Sequence, residues 1–394
     1  MKAHQQLPPP LMTSEPGSFA RATIVERKPQ IIARVLADGA YPPTITARLG
    51  AFRDEIAFGS VQSLNEEDVG GARFWNEQWA CYEGCTWLEL PWYFAETFFY
   101  RRLLEAVAYF RPGPWEGRDP FGPQKQAQEA EDLRQVAEVW VQLRARAPED
   151  LFTALIHAAL WGNRADLSNF TVRERAVGDS TADQVNIIID NTRQVHALLA
   201  RVAPGQVAFI NDNVGADSLF DLILADHLLT EGYAAQITFH LKNQPFFVSD
   251  AMVPDIERVI ARLADDAPDE FSGLGTRLRQ ALNAGKLELA THPFWTHPLS
   301  FNELPADLRA RLAENDLTIL KGDVNYRRLL ADRHWPPETP LEEIVRDFPR
   351  PFLILRTLKG EIIAGLAPGQ AEARQAEDPS WLINGKRGLI HLVE

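Results

Sequence analysis

The residues with the most chemical promise stand just after short apolar runs. Residues 207–210 lead into Asn211-Asp212-Asn213-Val214-Gly215, and then into Ala216-Asp217-Ser218-Leu219-Phe220-Asp221. An Asp followed by an Asn offers hard oxygen ligands to a divalent cation. Gly215 lets the backbone turn sharply, and a helix starting there would aim unsatisfied N–H groups at the same spot. The same residues also read as an Asx turn and helix cap, where Asp and Asn are common. Phe246-Phe247-Val248-Ser249-Asp250 offers a further carboxylate. Asp250 either completes a three-oxygen site with Asp212 and Asn213 or caps the amphipathic stretch after it.

Two later turns carry cations. Residues 317–320 are followed by Lys321-Gly322-Asp323-Val324-Asn325-Tyr326-Arg327-Arg328, and residues 352–355 by Arg356-Thr357-Leu358-Lys359-Gly360. Gly, Asp and Asn at a turn with Arg close behind suit a phosphate or sugar-hydroxyl site, because guanidinium presents a planar fork to phosphate oxygens. Lys359 can act as a point charge on a phosphoryl group. Each basic residue alone matches an ordinary solvated charge. Their coincidence with oxygen ligands at four run ends points to a metal-dependent hydrolase of a phosphorylated small molecule, centred on Asp212-Asn213. Asp190-Asn191 also follows an apolar run, 185–189, but lacks the glycine and the acidic helix start and reads as a cap.

The elements that would position these groups follow from periodicity. Strands are expected at 185–189, 207–210, 235–239, 287–290, 317–320 and 352–355. Helix-like stretches lie between and after them, at 194–201, 216–230, 253–264, 275–284, 306–314 and 326–331. Strand–helix alternation argues for α/β architecture: three α/β/α layers around a mostly parallel sheet. Such sheets bind ligands at the carboxyl ends of their strands. Before them, residues 92–110, 124–145 and 149–161 show helical spacing, with a Pro- and Gly-rich loop at 110–123. The expected organisation is a flexible arm over 1–18, which holds Pro8-Pro9-Pro10, a helical N-terminal subdomain over 19–182, and an α/β catalytic domain over 183–394. The helical region is expected to close over the pocket and to bring Trp92, Glu96 or Arg101 near substrate.

Bulk properties narrow the partners. The chain has 394 residues, 45% hydrophobic, with a formal net charge of −14. That balance disfavours nucleic acid, whose affinity rests on Lys and Arg neutralising phosphates. It leaves room for a small phosphorylated ligand, since a local basic pocket or a metal overrules the global field. No signal peptide is evident, and no run reaches the roughly 18 apolar residues of a membrane helix, so a cytoplasmic location is expected. Cys81 and Cys85 lack a second pair for a zinc site and read as reduced thiols. His292 and His297 flank Pro293-Phe294-Trp295 and read as an aromatic wall. Phosphate-loop, nucleophile-elbow and zincin motifs are absent.

Several strings carry a family resemblance. DNVGADSLFDLILADHLL resembles the D-N-x-G-x-E core of the damage-control phosphatases (domain of unknown function 89). KGDVNYRRLLAD resembles their G-D-x-N-Y-R-K-L motif, and RTLK the R-T-x-K signature of their sugar-phosphate phosphatase branch. LWGNRADLS, FFVSDAM and PWYFAETFFYRRLL are similar to further segments, and the likeness runs from about residue 40 onward. The resemblance implies a divalent metal (manganese, cobalt, nickel or magnesium) on Asp212, Asn213 and Asp250. It implies a substrate site of Asp212, Asn213, Asp323, Asn325, Tyr326, Arg327 and Lys359. The implied activity is hydrolysis of sugar phosphates such as fructose 1-phosphate or fructose 6-phosphate. In that mechanism a water or Asp212 attacks, Asp217 or Asp323 moves a proton, and Lys359 and Arg327 hold phosphoryl oxygens. Asp217 departs from the family's usual Glu by one methylene. The same branch is also described as protein-glutamate methyltransferases using S-adenosylmethionine. A third reading is a sugar-phosphate sensor without turnover.

Overall fold

The computed structural model describes residues 7–65, 70–162, 186–266 and 268–394. Seven strands make one sheet: β1 Ile187–Asp190, β2 Gly205–Ile210, β3 Ala234–Leu241, β4 Leu287–Thr291, β5 Leu317–Lys321, β6 Phe352–Thr357 and β7 Gly388–Val393. Their spatial order is β1-β7-β6-β5-β2-β3-β4. All neighbours run parallel except β6 and β7. The six expected strands are present within a few residues, although position 185 of the first lies outside the described residues. β7 was not anticipated.

Both faces of the sheet are covered, and strand side chains divide between them with period two. Val207, Phe209, Leu317, Ile319, Leu353 and Leu355 join one core, with the helices Gly122–Arg144, Pro148–Trp161, Thr192–Val202, Ala216–Thr230, Val253–Asp265 and Leu274–Asn283. Ala208, Ile210, Leu320, Phe352 and Ile354 face a second core with Ala306–Ala313, Gly322–Leu329 and Leu341–Ile344. The fold is therefore the expected three-layer α/β/α arrangement.

A third cluster, rich in aromatic residues, gathers Leu11 to Phe121 with Phe246 and Phe247. Its centre is the helix Trp92–Ala106, all of whose residues are buried. The helices Gly122–Arg144 and Pro148–Trp161, expected in the N-terminal subdomain, instead pack in the core of the sheet. The described part of the expected loose arm is docked. Leu11 N donates to Asp332 O at 2.9 Å, Trp92 N to Leu11 O at 2.7 Å, and Thr13 N to Leu90 O at 3.0 Å. Leu11 and Thr13 are buried. Among the described residues, no helix is long and apolar enough to cross a membrane.

Strand register explains why four distant segments meet. Ile210 pairs with His240 on one side and Leu320 on the other, and Leu320 pairs with Ile354. The residues after these rungs leave the sheet at one edge, its carboxyl end. From β2, the chain goes first to β3 and β4 on one side and then to β5 on the other. The gap beside β2 is thus a point where strand order reverses, the usual place for a ligand in such sheets.

Candidate active site

The β2 exit carries Asn211, Asp212 and Asn213. The helix Ala216–Thr230 starts after Gly215, at φ +79°, with no side-chain cap. Asp212 and Asn213 are therefore not spent on capping. Asn213 Nδ2 donates to Asp212 Oδ2 at 2.7 Å, and Ser249 Oγ donates to Asn213 Oδ1 at 2.6 Å. A backbone bridge joins Asn213 to Asp250, and Ala251 N donates to Asp212 O at 2.9 Å. The loop that makes this approach bends through Phe247 and Val248, both at positive φ (43° and 68°). That conformation is unfavourable for a β-branched residue, and such strain gathers at functional sites. Nor does Asp250 cap the helix after it: Asp255 Oδ2 accepts from Met252 N at 3.1 Å and takes that duty.

Asp212 and Asp250 are both buried. Burial pushes the Asp212 carboxyl well above its usual range, and Asp250 and Asp217 add to that push. Asp250 is also raised, first by burial, against the pull of Lys242, which sits 3.2 Å away. The buried oxygen Asp250 Oδ1 has no hydrogen-bond partner. Two repelling carboxylates, one with an orphaned oxygen, beside an amide oxygen make an environment that a divalent cation relieves. Among the described residues, no group of three or more His, Cys, Asp or Glu could hold a metal. An open site with two carboxylates is nonetheless what magnesium-like ions use when the substrate supplies further oxygens. The residues fit the metal on that basis.

Asp217, in the first turn of the next helix, is buried against the end of β5. Lys321 Nζ lies 2.9 Å from Asp217 Oδ1 and 2.6 Å from Asp221 Oδ1, and it donates to Ala159 O. Asn211 Nδ2 donates to Asp221 Oδ2 at 3.1 Å. Burial lifts Asp221 to about 7 even against Lys321. Gly322, at φ +81°, follows directly. A Cβ there would fall 1.9 Å from Asp212 Oδ2, so only glycine lets β5 end this close to the carboxylate. Lys321 and Asp221 escaped the sequence reading. The signal available was two carboxylates four residues apart on an otherwise apolar helix.

The β5 and β6 exits differ from expectation in detail. Asp323 accepts from Arg327 Nε and from Arg356 Nε, both at 2.7 Å. Burial opposes its ionisation, but the two guanidinium groups outweigh burial and hold its carboxyl down at about 2. Two guanidinium partners work against the proton-transfer duty expected of Asp323. Arg327 is itself buried and bonds Asp323 and Asp332. Only its Nη2 lacks a hydrogen-bond partner, so it does not present the open fork foreseen for phosphate. Asn325 and Tyr326 also turn away from the cleft. Asn325 Nδ2 ties Ile210 O at 3.1 Å to Lys321 O at 2.8 Å, joining the tips of β2 and β5. The Tyr326 hydroxyl meets Ala364, and its ring lies 4.0 Å from the Arg356 guanidinium. Lys359 stays with the cleft. Together with Asp217, Lys321, Gly322, Asp323, Leu355, Thr357 and Leu160 it lines a small pocket. Burial lowers its pKa, against Asp212, Asp217 and Asp323, which raise it.

Other expectations resolve as follows. Trp92 reaches the edge of the site, its ring 3.9 Å from the Arg327 guanidinium. Glu96 is locked to Lys28, and Arg101 lies over the Phe110 ring at 4.4 Å, away from the cleft. Asp190 accepts from Thr192 N at 3.0 Å as a cap, on β1 at the far edge of the sheet. His297 stacks on Phe74 at 4.0 Å, as an aromatic wall would. Cys81 and Cys85 are unbridged.

Comparison with known proteins is consistent over most of the chain. The model of the damage-control phosphatase ARMT1-like domain matches residues 16–374. A Danio rerio protein called damage-control phosphatase ARMT1 is 29% identical over 99% of this chain and 98% of its own. One of that name from Bos taurus is 31% identical over 77% of this chain and 74% of its own. The solved structure of a DUF89 family protein from Pyrococcus horikoshii aligns over 95% of this chain and 98% of its own, at 14% identity and TM-score 0.49.

Proposed function

Since the chain belongs to the damage-control phosphatase ARMT1-like family, we propose that it is a cytoplasmic, divalent-metal-dependent phosphomonoesterase of sugar phosphates such as fructose 1-phosphate or fructose 6-phosphate. One observation carries this reading: the buried, mutually repelling carboxylates Asp212 and Asp250 stand at the strand-order reversal beside Lys359. In this reading Asp212, Asn213 and Asp250 hold manganese, cobalt, nickel or magnesium. The bound cation would supply charge neutralisation for a phosphoryl group. Lys359 binds a phosphoryl oxygen as a point charge in a site partly shielded from water, where such charges act most strongly. Asp217, held by Lys321 Nζ at 2.9 Å, is the carboxylate placed to move a proton at the cleft. Asp323 organises the floor: by fixing Arg327 and Arg356 it sets the loop that bears Lys359. No feature among the described residues favours the carboxyl-methyltransferase alternative.

The test is phosphate release from fructose 1-phosphate with and without manganese. The wild type should show metal-stimulated turnover, and Asp212→Ala should lose at least about a hundredfold in kcat, the scale of losing one charge-stabilising group. Undiminished turnover by the variant would sink the site assignment.

A further inference from the structure

A larger cavity, of about 590 Å³, opens beside the segment that follows Lys359. The pocket that Lys359 itself lines holds only about 10 Å³. The larger space is of the size that takes a small organic molecule, and none of the strand-end motifs lines it. One wall is Glu361, Ile362 and Ile363. That wall is held in place: Arg356 Nη1 donates to Ile362 O at 2.9 Å, and Gly360 N donates to Leu382 O at 3.0 Å. A second wall is the helix Gln370–Glu377, none of whose residues is buried. Its apolar contribution to the lining is two alanines, Ala371 and Ala376, which are too short to fill the space.

Two tryptophans complete the lining, and their N–H groups already have partners. Trp335 Nε1 donates to Leu330 O at 2.9 Å, and Trp381 Nε1 donates to Gln375 Oε1 at 3.1 Å. What they have left to offer a ligand is ring surface. The charged lining is of one sign: among the described residues it includes Glu361 and Glu372 and no Lys or Arg. Glu361 Oε1 accepts from Phe19 N at 3.2 Å, but its Oε2 is buried with no hydrogen-bond partner among the described residues. His334 Nε2 is buried and unpartnered in the same way, and a neutral imidazole nitrogen can accept. A carboxylate without a counter-charge favours a cation. Indole rings favour a cation as well, tryptophan most of all. The aliphatic wall favours an apolar body. A phosphate would meet two carboxylates of its own sign, and a bare metal ion would gain nothing from the rings.

We propose that this cavity is a binding site for a small organic ammonium ion with an apolar body. Its ammonium group sits against Glu361 and Glu372, and its body lies on Trp335 and Trp381. The site is separate from the Asp212 centre and stands whether or not the phosphatase reading does.

The experiment is calorimetry on the full chain at pH 7 with 2-phenylethylammonium, and with 3-phenylpropionate and 2-phenylethanol as its anionic and neutral counterparts. The ammonium should bind with Kd below about 1 mM, at least about tenfold tighter than either counterpart, the weight of one good cation contact. Glu361→Gln keeps an acceptor for Phe19 N and removes the charge, and it should weaken binding about tenfold. Trp335→Leu should weaken it by a similar factor. Glu372→Gln, at an exposed position, should cost about twofold. Asp212→Asn should bind as the wild type does. Thermal melts show which variants are folded, and if Trp335→Leu is not, Glu361→Gln decides. Four results overturn the proposal: no binding of the ammonium, equal binding of the three probes, undiminished binding by Glu361→Gln, or loss of binding in Asp212→Asn, which would put the ammonium at the metal centre.

Discussion

Two aspartates at the tips of adjacent strands, Asp212 buried and Asp323 half-buried, behave in opposite ways. Asp323, at the β5 tip, has two guanidinium partners and is held ionised far below the ordinary range. Asp212, at the neighbouring β2 tip, is desolvated among other carboxylates and is driven the other way. The first region is electrostatically complete and works as scaffold. The second keeps buried carboxylates that repel one another despite Lys242 and Lys359. Residue type and strand-end position are shared, so what separates scaffold from site is whether the surrounding charges already balance.

The largest effect should come from unbalancing the complete region. Asp323→Ala removes an ionic partner from two buried guanidinium groups, Arg327 and Arg356, and should cost roughly 3–5 kcal/mol in denaturant unfolding, the usual penalty for breaking a buried ion pair. The sign with pH follows from the depressed value. Asp323 stabilises the fold fully above its unfolded pKa, near 3.8, and that support disappears as pH falls through about 2. A variant losing less than 1 kcal/mol (roughly what an exposed pair contributes) would erase the contrast.

A middle effect of opposite sign is expected at Asp212. Its raised folded pKa means its stabilising contribution is present at low pH and lost as pH rises, so ionised Asp212 is a burden at neutrality. In chelator at pH 7, Asp212→Asn should be more stable to denaturant than wild type, because the buried carboxylate charge is removed. Manganese should raise the Tm of the wild type and leave that of the variant unmoved. A destabilised Asp212→Asn would place both aspartates in the same class.

The smallest effect sharpens the boundary between the regions. Asp217→Glu restores the residue usual in the resembling family, but the extra methylene must fit against Lys321 and Gly162, where a Cβ on Gly162 would already lie 2.9 Å from Asp217 Cα. Overpacking of about 1 kcal/mol, or roughly fivefold in kcat/KM, is expected. A large gain in activity would instead show that the shorter side chain had impaired the site.

The sequence was most legible where position alone decides. Strands 207–210 and 317–320, and the carboxylates after them, followed from periodicity and turn chemistry, and the parallel ladder gathers them at one edge. Asp212, Asn213, Asp250 and Lys359 were singled out that way, and the fold gathers them near one sheet edge. Side-chain direction was not legible. Asn325 and Tyr326 stand in a motif that reads as substrate-binding, yet they point into the seam between strand tips and the core beneath. Lys321 looked like a surface cation, because its partners Asp217 and Asp221 lie on a helix a hundred residues earlier. β7 was missed because it follows an irregular Pro- and Gly-containing stretch and is defined by its neighbours β1 and β6.

That last strand bears on how the molecule is made. β1 joins the sheet through β7, the segment Gly388–Val393, and β7 is itself wedged against β6. Synthesis must therefore pass residue 388 before β1, the first strand among the described residues, can find its hydrogen-bonding neighbour. Until then β1 waits without a strand partner, a window in which a nascent chain is prone to aggregation and open to chaperones.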